Sequence, residues 1–250
     1  SSNTGTIKIG ETLSNDKLHE YLTKFGIGVS TGSGLPGESK GLFRPVNDWS
    51  GTTAPTVAFG QGYAVTAMQA TSIFATIAND GVRVSPTVIA GTSDSSGKFT
   101  VASTRNSERV VSAKTAQQVR LMMESVVSGN GTAPSAAIPG YRVAGKTGTA
   151  ERYDIECGCY SGYTASFIGF APADAPRYVI SVTIQDPKGG YYGGSLGGPV
   201  FKQVMTFVLQ AEHVAPTGTK ILPIALTQTE LRQKERREGS ATTQASLKSR

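Results

Sequence analysis

Lys146, Thr147, Gly148 and Thr149 place a cation, two hydroxyls and a stretch of bare backbone at consecutive positions. Such a set suits an anion, and two anions compete for it. Gly140 to Thr147 satisfies the G-x-x-x-x-G-K-[ST] phosphate-loop pattern. A phosphate loop must leave a buried strand and enter a helix, so that amides and the helix N-terminus cradle the phosphates. Here the approach is Asn130-Gly131-Thr132-Ala133-Pro134, with Pro139 before Gly140, which is turn chemistry. Beyond Thr147 no helical apolar period begins. Val179 to Ile184 followed by Asp186 imitates a strand ending in a magnesium-binding carboxylate, but Pro187 comes next and no helix follows. The stretch reads instead as one extended strand leaving the turn at Pro139-Gly140. Alternation then puts Thr147 and Thr149 on one face and Lys146 on the other. Gly145 and Gly148 mark the close approach of a ligand or of another backbone. Two hydroxyls beside bare backbone suit the carboxylate of a peptide running alongside as an added strand.

The tripeptide has company. The chain opens Ser1-Ser2-Asn3, an S-x-N element, and Lys146-Thr147-Gly148 follows it downstream. With Phe59-Gly60-Gln61-Gly62-Tyr63, Val65-Thr66-Ala67-Met68-Gln69, Gly140 to Ala150 and Tyr191-Tyr192-Gly193-Gly194, residues 1–210 resemble the transpeptidase domain of class B penicillin-binding proteins, the division-specific members above all. The resemblance implies an α+β fold, an antiparallel sheet flanked by helices beside a mainly helical lobe, with the active cleft between. It implies a serine D,D-transpeptidase that cross-links peptidoglycan stem peptides ending in D-Ala-D-Ala and is acylated by β-lactams. On that pattern Ser1 relays a proton, Asn3 holds the stem-peptide amide and Lys146 supplies the electrostatic field. Thr147, Gly148 and Thr149 bind the substrate carboxylate, and the Thr149 N–H forms half of an oxyanion hole.

In the family the nucleophile stands in an S-x-x-K helix that precedes S-x-N, whereas this sequence starts at S-x-N. Ser14-Asn15-Asp16-Lys17 matches S-x-x-K in the wrong order and at a helix cap. Ser95-Ser96-Gly97-Lys98 matches it inside the loop Thr92 to Gly97, which is no place for a helix-borne nucleophile. The expectation is therefore a C-terminal part of the domain, truncated at its N-terminus, that neither acylates nor cross-links alone and needs the preceding part of the domain as a partner. The same comparison implies a membrane anchor upstream of Ser1, a place on the extracytoplasmic face of a bacterial membrane, and cell-division or wall-synthesis proteins as partners. An inert peptidoglycan- or β-lactam-binding module, a β-lactam sensor, a β-lactamase and a phosphate-loop nucleotide-binding protein are the alternatives.

Composition narrows the field. The 250 residues carry a formal charge of +6, and residues 230–250 supply half of it, six basic against three acidic. No basic stripe interleaved with aromatics accompanies that tail, so nucleic acid is not an expected partner. Two histidines and two cysteines are too few for a metal site or a serine–histidine triad, and neither metal nor cofactor is expected. His19 and His213 read as helix-surface residues. Cys157 and Cys159 flank a single glycine and are either a small disulfide or exposed thiols. No apolar run is long enough to span a membrane.

These residues need elements to hold them. The segment up to Gly10 reads as irregular. Ser14 caps a helix with Leu18, Tyr21, Leu22 and Phe25 on one face, and residues 28–64 read as a long irregular rim. Thr66 and Gln69 form a capping box, and Ala70, Ile73, Phe74 and Ile77 make the buried stripe of the helix that follows. Short strands occupy residues 82–111, and a helix starting at Ser112 buries Ala116, Val119, Met123 and Val126. Tyr163 to Phe170 and Arg177 to Ile184 form antiparallel neighbours. A last helix follows Pro199, with Val200, Val204 and Val208 inward. Residues 1–213 form the domain part, and 214–250 read as a polar linker and disordered tail.

Overall fold

A computed structural model describes residues 2–102 and 106–218. Its frame is a three-stranded antiparallel sheet of β5 (Ala144–Asp154), β6 (Cys159–Ala171) and β7 (Tyr178–Gln185), with β6 in the middle. Residues 168–171 of β6 are all buried, as a central strand covered on both faces requires. Phe167, Gly169 and Ala171 face one layer, where α6 (Gly193–Ala211) contributes Phe201, Met205 and Leu209. Phe170 faces the other and meets Ala144, Ile77 and Ala173. That second layer is α4 (Ala67–Ala78) and α5 (Ala113–Glu124). The order α6, sheet, α4–α5 is the expected α+β architecture.

The smaller elements are α1 (Asn3–Gly10), α2 (Asn15–Lys24), α3 (Thr53–Ala58) and the strands β1 (Val82–Val84), β2 (Gly91–Ser93), β3 (Phe99–Val101) and β4 (Ser107–Arg109). β1 pairs with β4 and β2 with β3. Short 3₁₀ turns occur at Val46–Asp48 and Pro134–Ala136.

Local signals hold where a cap is present. Ser14 accepts from the Lys17 N–H and Ser112 from the Thr115 N–H. The Thr66–Gln69 capping box is complete in both directions. The Gln69 side chain does more than cap: it is wholly buried, and its amide donates to the carbonyls of Gly26, Val29 and Lys40 at 3.1, 2.8 and 2.9 Å. The rim of residues 28–64 is thereby fastened to α4. A second clasp is Glu38, whose carboxylate accepts from the Thr31 N–H at 2.7 Å and from the Ser30 hydroxyl at 2.8 Å, and also from the Thr31 hydroxyl. The Thr31 hydroxyl leads the bonds that hold the Glu38 pKa down at about 2.

Several expectations are corrected. The first ten residues are helical from Asn3, because Ser2 accepts from the Gly5 N–H and Gly10 gives α1 close access to Ala58 of α3. The rim contains a helix, α3, which its proline and β-branched residues conceal. The last helix starts at Gly193 rather than after Pro199, which lies inside it. Its buried stripe is Gly194, Phe201, Met205 and Leu209, leaving Val200 and Val204 41% and 42% exposed. Gly193 and Gly197 let its first turns lie directly on the sheet and Gly194 and Gly198 admit the turn at 132–136, and that packing outweighs the proline's unfavourable propensity. His19, read as a plain surface residue, stacks on Phe43 with ring centroids 4.4 Å apart, and Trp49 tilts against it. Residues 214–218 return to the domain: Tyr141 donates its hydroxyl to the Val214 carbonyl at 2.6 Å, and the Gly218 N–H donates to the Gly140 carbonyl at 3.0 Å. The tail expected to be disordered lies, beyond residue 218, outside the described residues.

Candidate active site

β5 is an edge strand of its sheet, and Lys146 to Thr149 sit in its first half. The strand runs on through Thr147 to Asp154 with no helix launched there, which removes the phosphate-loop alternative. Asp186, the would-be magnesium carboxylate, is engaged by Lys188 at 2.6 Å. Its exposure and its place after β7 make it a turn residue.

The two faces of β5 divide as alternation predicts. Thr147 and Thr149 face α6: the Thr147 methyl lies beside Gly194, and the Thr149 hydroxyl oxygen accepts from the Gly193 N–H at 3.2 Å. Lys146 lies on the opposite face, half-buried, and burial pushes its pKa below the ordinary lysine value of 10.5. Its amine donates to the Thr147 carbonyl at 2.8 Å. The Gly148 and Ser166 carbonyl oxygens both lie within 2.3 Å of the place a Gly193 methyl would take, so this pair turns its polar groups toward each other. The Thr147 carbonyl, one residue away, points outward from the β5–β6 ladder. By the alternation of an antiparallel pair, the Thr149 N–H lies on the same outer edge.

The glycines explain how so much is packed under a short stretch. A methyl on Gly145 would meet the Phe167 ring at 2.4 Å, and one on Gly148 would meet the Ser166 hydroxyl at 2.4 Å. A methyl on Gly193 would lie 2.3 Å from the Gly148 carbonyl oxygen and 2.1 Å from that of Ser166. The strand glycines thus admit side chains of β6, and it is the helix glycine, Gly193, that lets the backbone of α6 sit on the main chain of the Gly148–Ser166 pair.

Two residues that the sequence reading passed over as turn chemistry join the site. The Thr132 and Thr147 hydroxyls lie 3.1 Å apart, and Ser135 donates its hydroxyl to the Gly194 carbonyl at 3.0 Å. The turn 129–140 therefore wraps the start of α6 and carries a third hydroxyl to the strand. Beside it Tyr192 caps α6, and Tyr191 stacks on Tyr163 with centroids 4.7 Å apart. Behind the strand, Arg142 makes a bidentate pair with the wholly buried Glu124 at 2.8 and 2.6 Å, joining α5 to the entrance of β5.

Of the other sequence candidates, Asn3 is exposed at the first position of α1, which packs on α3. Ser1 lies outside the described residues. Ser14 is occupied as the cap of α2, and Ser95 lies in the β2–β3 turn, so neither serine–lysine pair takes a place on β5.

The model of the penicillin binding protein transpeptidase domain matches residues 1–206. The penicillin-binding protein PbpB of Mycobacterium tuberculosis is 42% identical over 224 residues, covering 86% of this chain and 33% of that protein. The peptidoglycan D,D-transpeptidase FtsI of Escherichia coli is 35% identical over 232 residues, covering 88% of this chain and 37% of its own length. The chain thus spans about a third of the length of these two relatives. Among solved structures, penicillin binding protein 3 of Mycobacterium tuberculosis complexed with aztreonam superposes with a TM-score of 0.82 at 39% identity, over 90% of this chain and 52% of that one. A peptidoglycan synthetase of Bifidobacterium adolescentis gives 0.80 at 34% identity, over 89% and 40%.

Proposed function

The chain belongs to the transpeptidase domain family of class B penicillin-binding proteins, and from that premise we propose that β5 recognises the D-Ala-D-Ala end of a peptidoglycan stem peptide within a serine D,D-transpeptidase. The observation that carries the reading is the edge strand at Lys146 to Thr149, with its half-buried amine and hydroxyls beside open backbone. The stem peptide lies antiparallel to β5, and its carboxylate takes the Thr147 and Thr149 hydroxyls. Because the Thr149 oxygen already accepts from Gly193, its proton is available to the substrate. Lys146 supplies the field that draws the carboxylate and holds the hydroxyl of Ser1, while Asn3 holds the stem-peptide amide.

In the reaction a nucleophilic serine hydroxyl adds to the carbonyl carbon between the two alanines. The oxyanion forms at the Thr149 N–H, a contribution of about 3 kcal/mol for one such donor. The C–N bond then breaks, terminal D-alanine leaves with the proton, and an amine from a second stem peptide displaces the serine to form the cross-link. β-Lactams occupy the same edge, their carboxylate in the place of the peptide's. The reaction belongs at the outer face of a bacterial membrane among wall-synthesis and division proteins. Among the described residues no helix is long and apolar enough to cross a membrane.

The test uses the 250-residue chain. Titration with an N-acylated D-Ala-D-Ala peptide, followed by amide NMR, is expected to shift Thr147 to Thr149, and the L-Ala-L-Ala peptide is not. Lys146→Met weakens the binding about tenfold, the worth of one charge-assisted hydrogen bond. Affinity also falls as pH rises through the lysine's pKa, below 10.5. Shifts elsewhere, or equal affinity for the two stereoisomers, would refute the reading.

A further inference from the structure

The β5–β6 hairpin ends in Cys157-Gly158-Cys159, and the two cysteines form a disulfide with Cα atoms 5.2 Å apart. Gly158 takes φ +62, which lets the chain double back over a single residue. Both cysteines are exposed at the outer end of the hairpin, and the sequence holds no others.

As a brace the bond has little to do. Asp154 already pairs with Cys159 and Tyr153 with Tyr160 in the ladder. The Tyr153 and Tyr160 rings meet edge to face at 5.7 Å across the two strands. A bridge between residues i and i+2 closes so short a loop that it removes little freedom from the unfolded chain. An exposed disulfide in a minimal ring is, by contrast, the kind that exchanges readily with thiols.

We propose that Cys157–Cys159 is a thiol–disulfide exchange site for external low-molecular-weight thiols, a reversible two-electron centre at the end of the substrate-bearing hairpin. A thiolate attacks one sulfur, the Cys157–Cys159 bond breaks, and a mixed disulfide forms while the other cysteine leaves as a thiolate and takes a proton. A second thiolate then attacks the sulfur of the thiol bound in the mixed disulfide, and the bound cysteine leaves as thiolate and is protonated. Two thiols are oxidised to one disulfide, and the protein gains two electrons and two protons. The register shift between Glu151 and Tyr153 separates the tip from the rest of β5. Opening the ring therefore frees only the unpaired tip, residues 155–158, and stops short of Lys146 to Thr149. The inference stands independently of what β5 binds.

The folded 250-residue chain is incubated in glutathione redox buffers under native conditions and followed by acid-quenched intact mass. Expected is a reversible gain of about 2 Da that reaches the same ratio from the oxidised and the reduced side, at a rate within about tenfold of that in guanidinium. The Cys159→Ser variant should accumulate a mixed disulfide at Cys157. Hydrogen exchange of the reduced protein should rise only over the tip, residues 155–158, and stay unchanged over 144–150. Reduction that occurs only in denaturant, purified protein carrying two thiols that never oxidise in the buffer, or loss of protection along the whole of β5 would each overturn the proposal.

Discussion

Gly193→Ala is the sharpest test of how the site is built. The added methyl would lie 2.1 Å from the Ser166 carbonyl oxygen, 2.3 Å from that of Gly148 and 2.9 Å from the Ser166 nitrogen. All three are main-chain atoms of residues directly paired in the β5–β6 ladder, so none can turn aside as a side chain would. The start of α6 must lift instead. Lifting breaks the Gly193 bond to the Thr149 hydroxyl and strains the Ser135 bond to the Gly194 carbonyl. It also loosens Phe201 against Phe167, now edge to face at 4.9 Å. Overpacking of this kind costs about 1–3 kcal/mol, and the lost hydrogen bond adds about 1 kcal/mol. Alanine returns somewhat under 1 kcal/mol through its better helix propensity. The net destabilisation is about 1–3 kcal/mol, a fall in Tm of about 2–12 °C for a domain of this size. Gly190→Ala is the control: its methyl would meet only the Leu196 side chain at 3.9 Å, and it should stay within about 0.5 kcal/mol of the parent. Urea unfolding of the three proteins, read at constant m, gives the comparison. If the two variants unfold at the same midpoint, α6 is not seated on Gly148 as described.

Removing the carboxylate in Glu124→Ala leaves the Arg142 guanidinium, 11% exposed, without its partner and should cost about 3–5 kcal/mol, measured by the same unfolding series. Gln69→Leu leaves the carbonyls of Gly26, Val29 and Lys40 without their donor; a loss of about 3 kcal/mol or more is expected, with hydrogen-exchange protection lost first around residues 26–41. Glu38 has a folded pKa of about 2 against an ordinary 4.5, so the folded state favours the carboxylate. Its contribution is complete above pH 4.5 and is lost as pH falls toward 2. Proteolysis of residues 28–41 should accelerate through that window in the parent and be fast and pH-independent in Glu38→Gln.

What the sequence disclosed and what it hid follow a physical division. Caps are local chemistry, so Ser14, Ser112 and the Thr66–Gln69 box are legible from neighbouring residues alone. The strand through Lys146 is legible because turn residues precede it and no helical period follows. The start of α6 is illegible, since Gly193, Gly194 and Pro199 all argue against helix and only contact with the sheet reverses them. The inward stripe of that helix was misjudged for the same reason: valine spacing is visible in the sequence, but the face laid on Phe167 is chosen by glycines that show no hydrophobicity. Thr132 is hidden differently. It stands fifteen positions before Thr147 and meets it only because the turn folds over the end of α6.

The same glycines connect fold to recognition. With a side chain at 193 the N-terminus of α6 would stand off the sheet, and Thr149 would face water instead of a helix amide. Seated as it is, the helix donates to the Thr149 oxygen, and its partial positive charge, equivalent to about half an elementary charge, lies directly beneath the strand. Lys146 adds a full charge from the opposite face, in surroundings dry enough to lower its pKa. On the proposed reading a substrate carboxylate therefore meets positive potential from both sides of β5, and the Thr149 hydroxyl between them accepts from the helix amide and keeps its proton for the substrate. A phosphate loop reaches comparable potential by wrapping amides around its ligand. Here the backbone stays extended and the helix comes in from a distant part of the chain. That is why a peptide terminus, which can pair along the strand as it binds, suits this edge and a nucleotide does not.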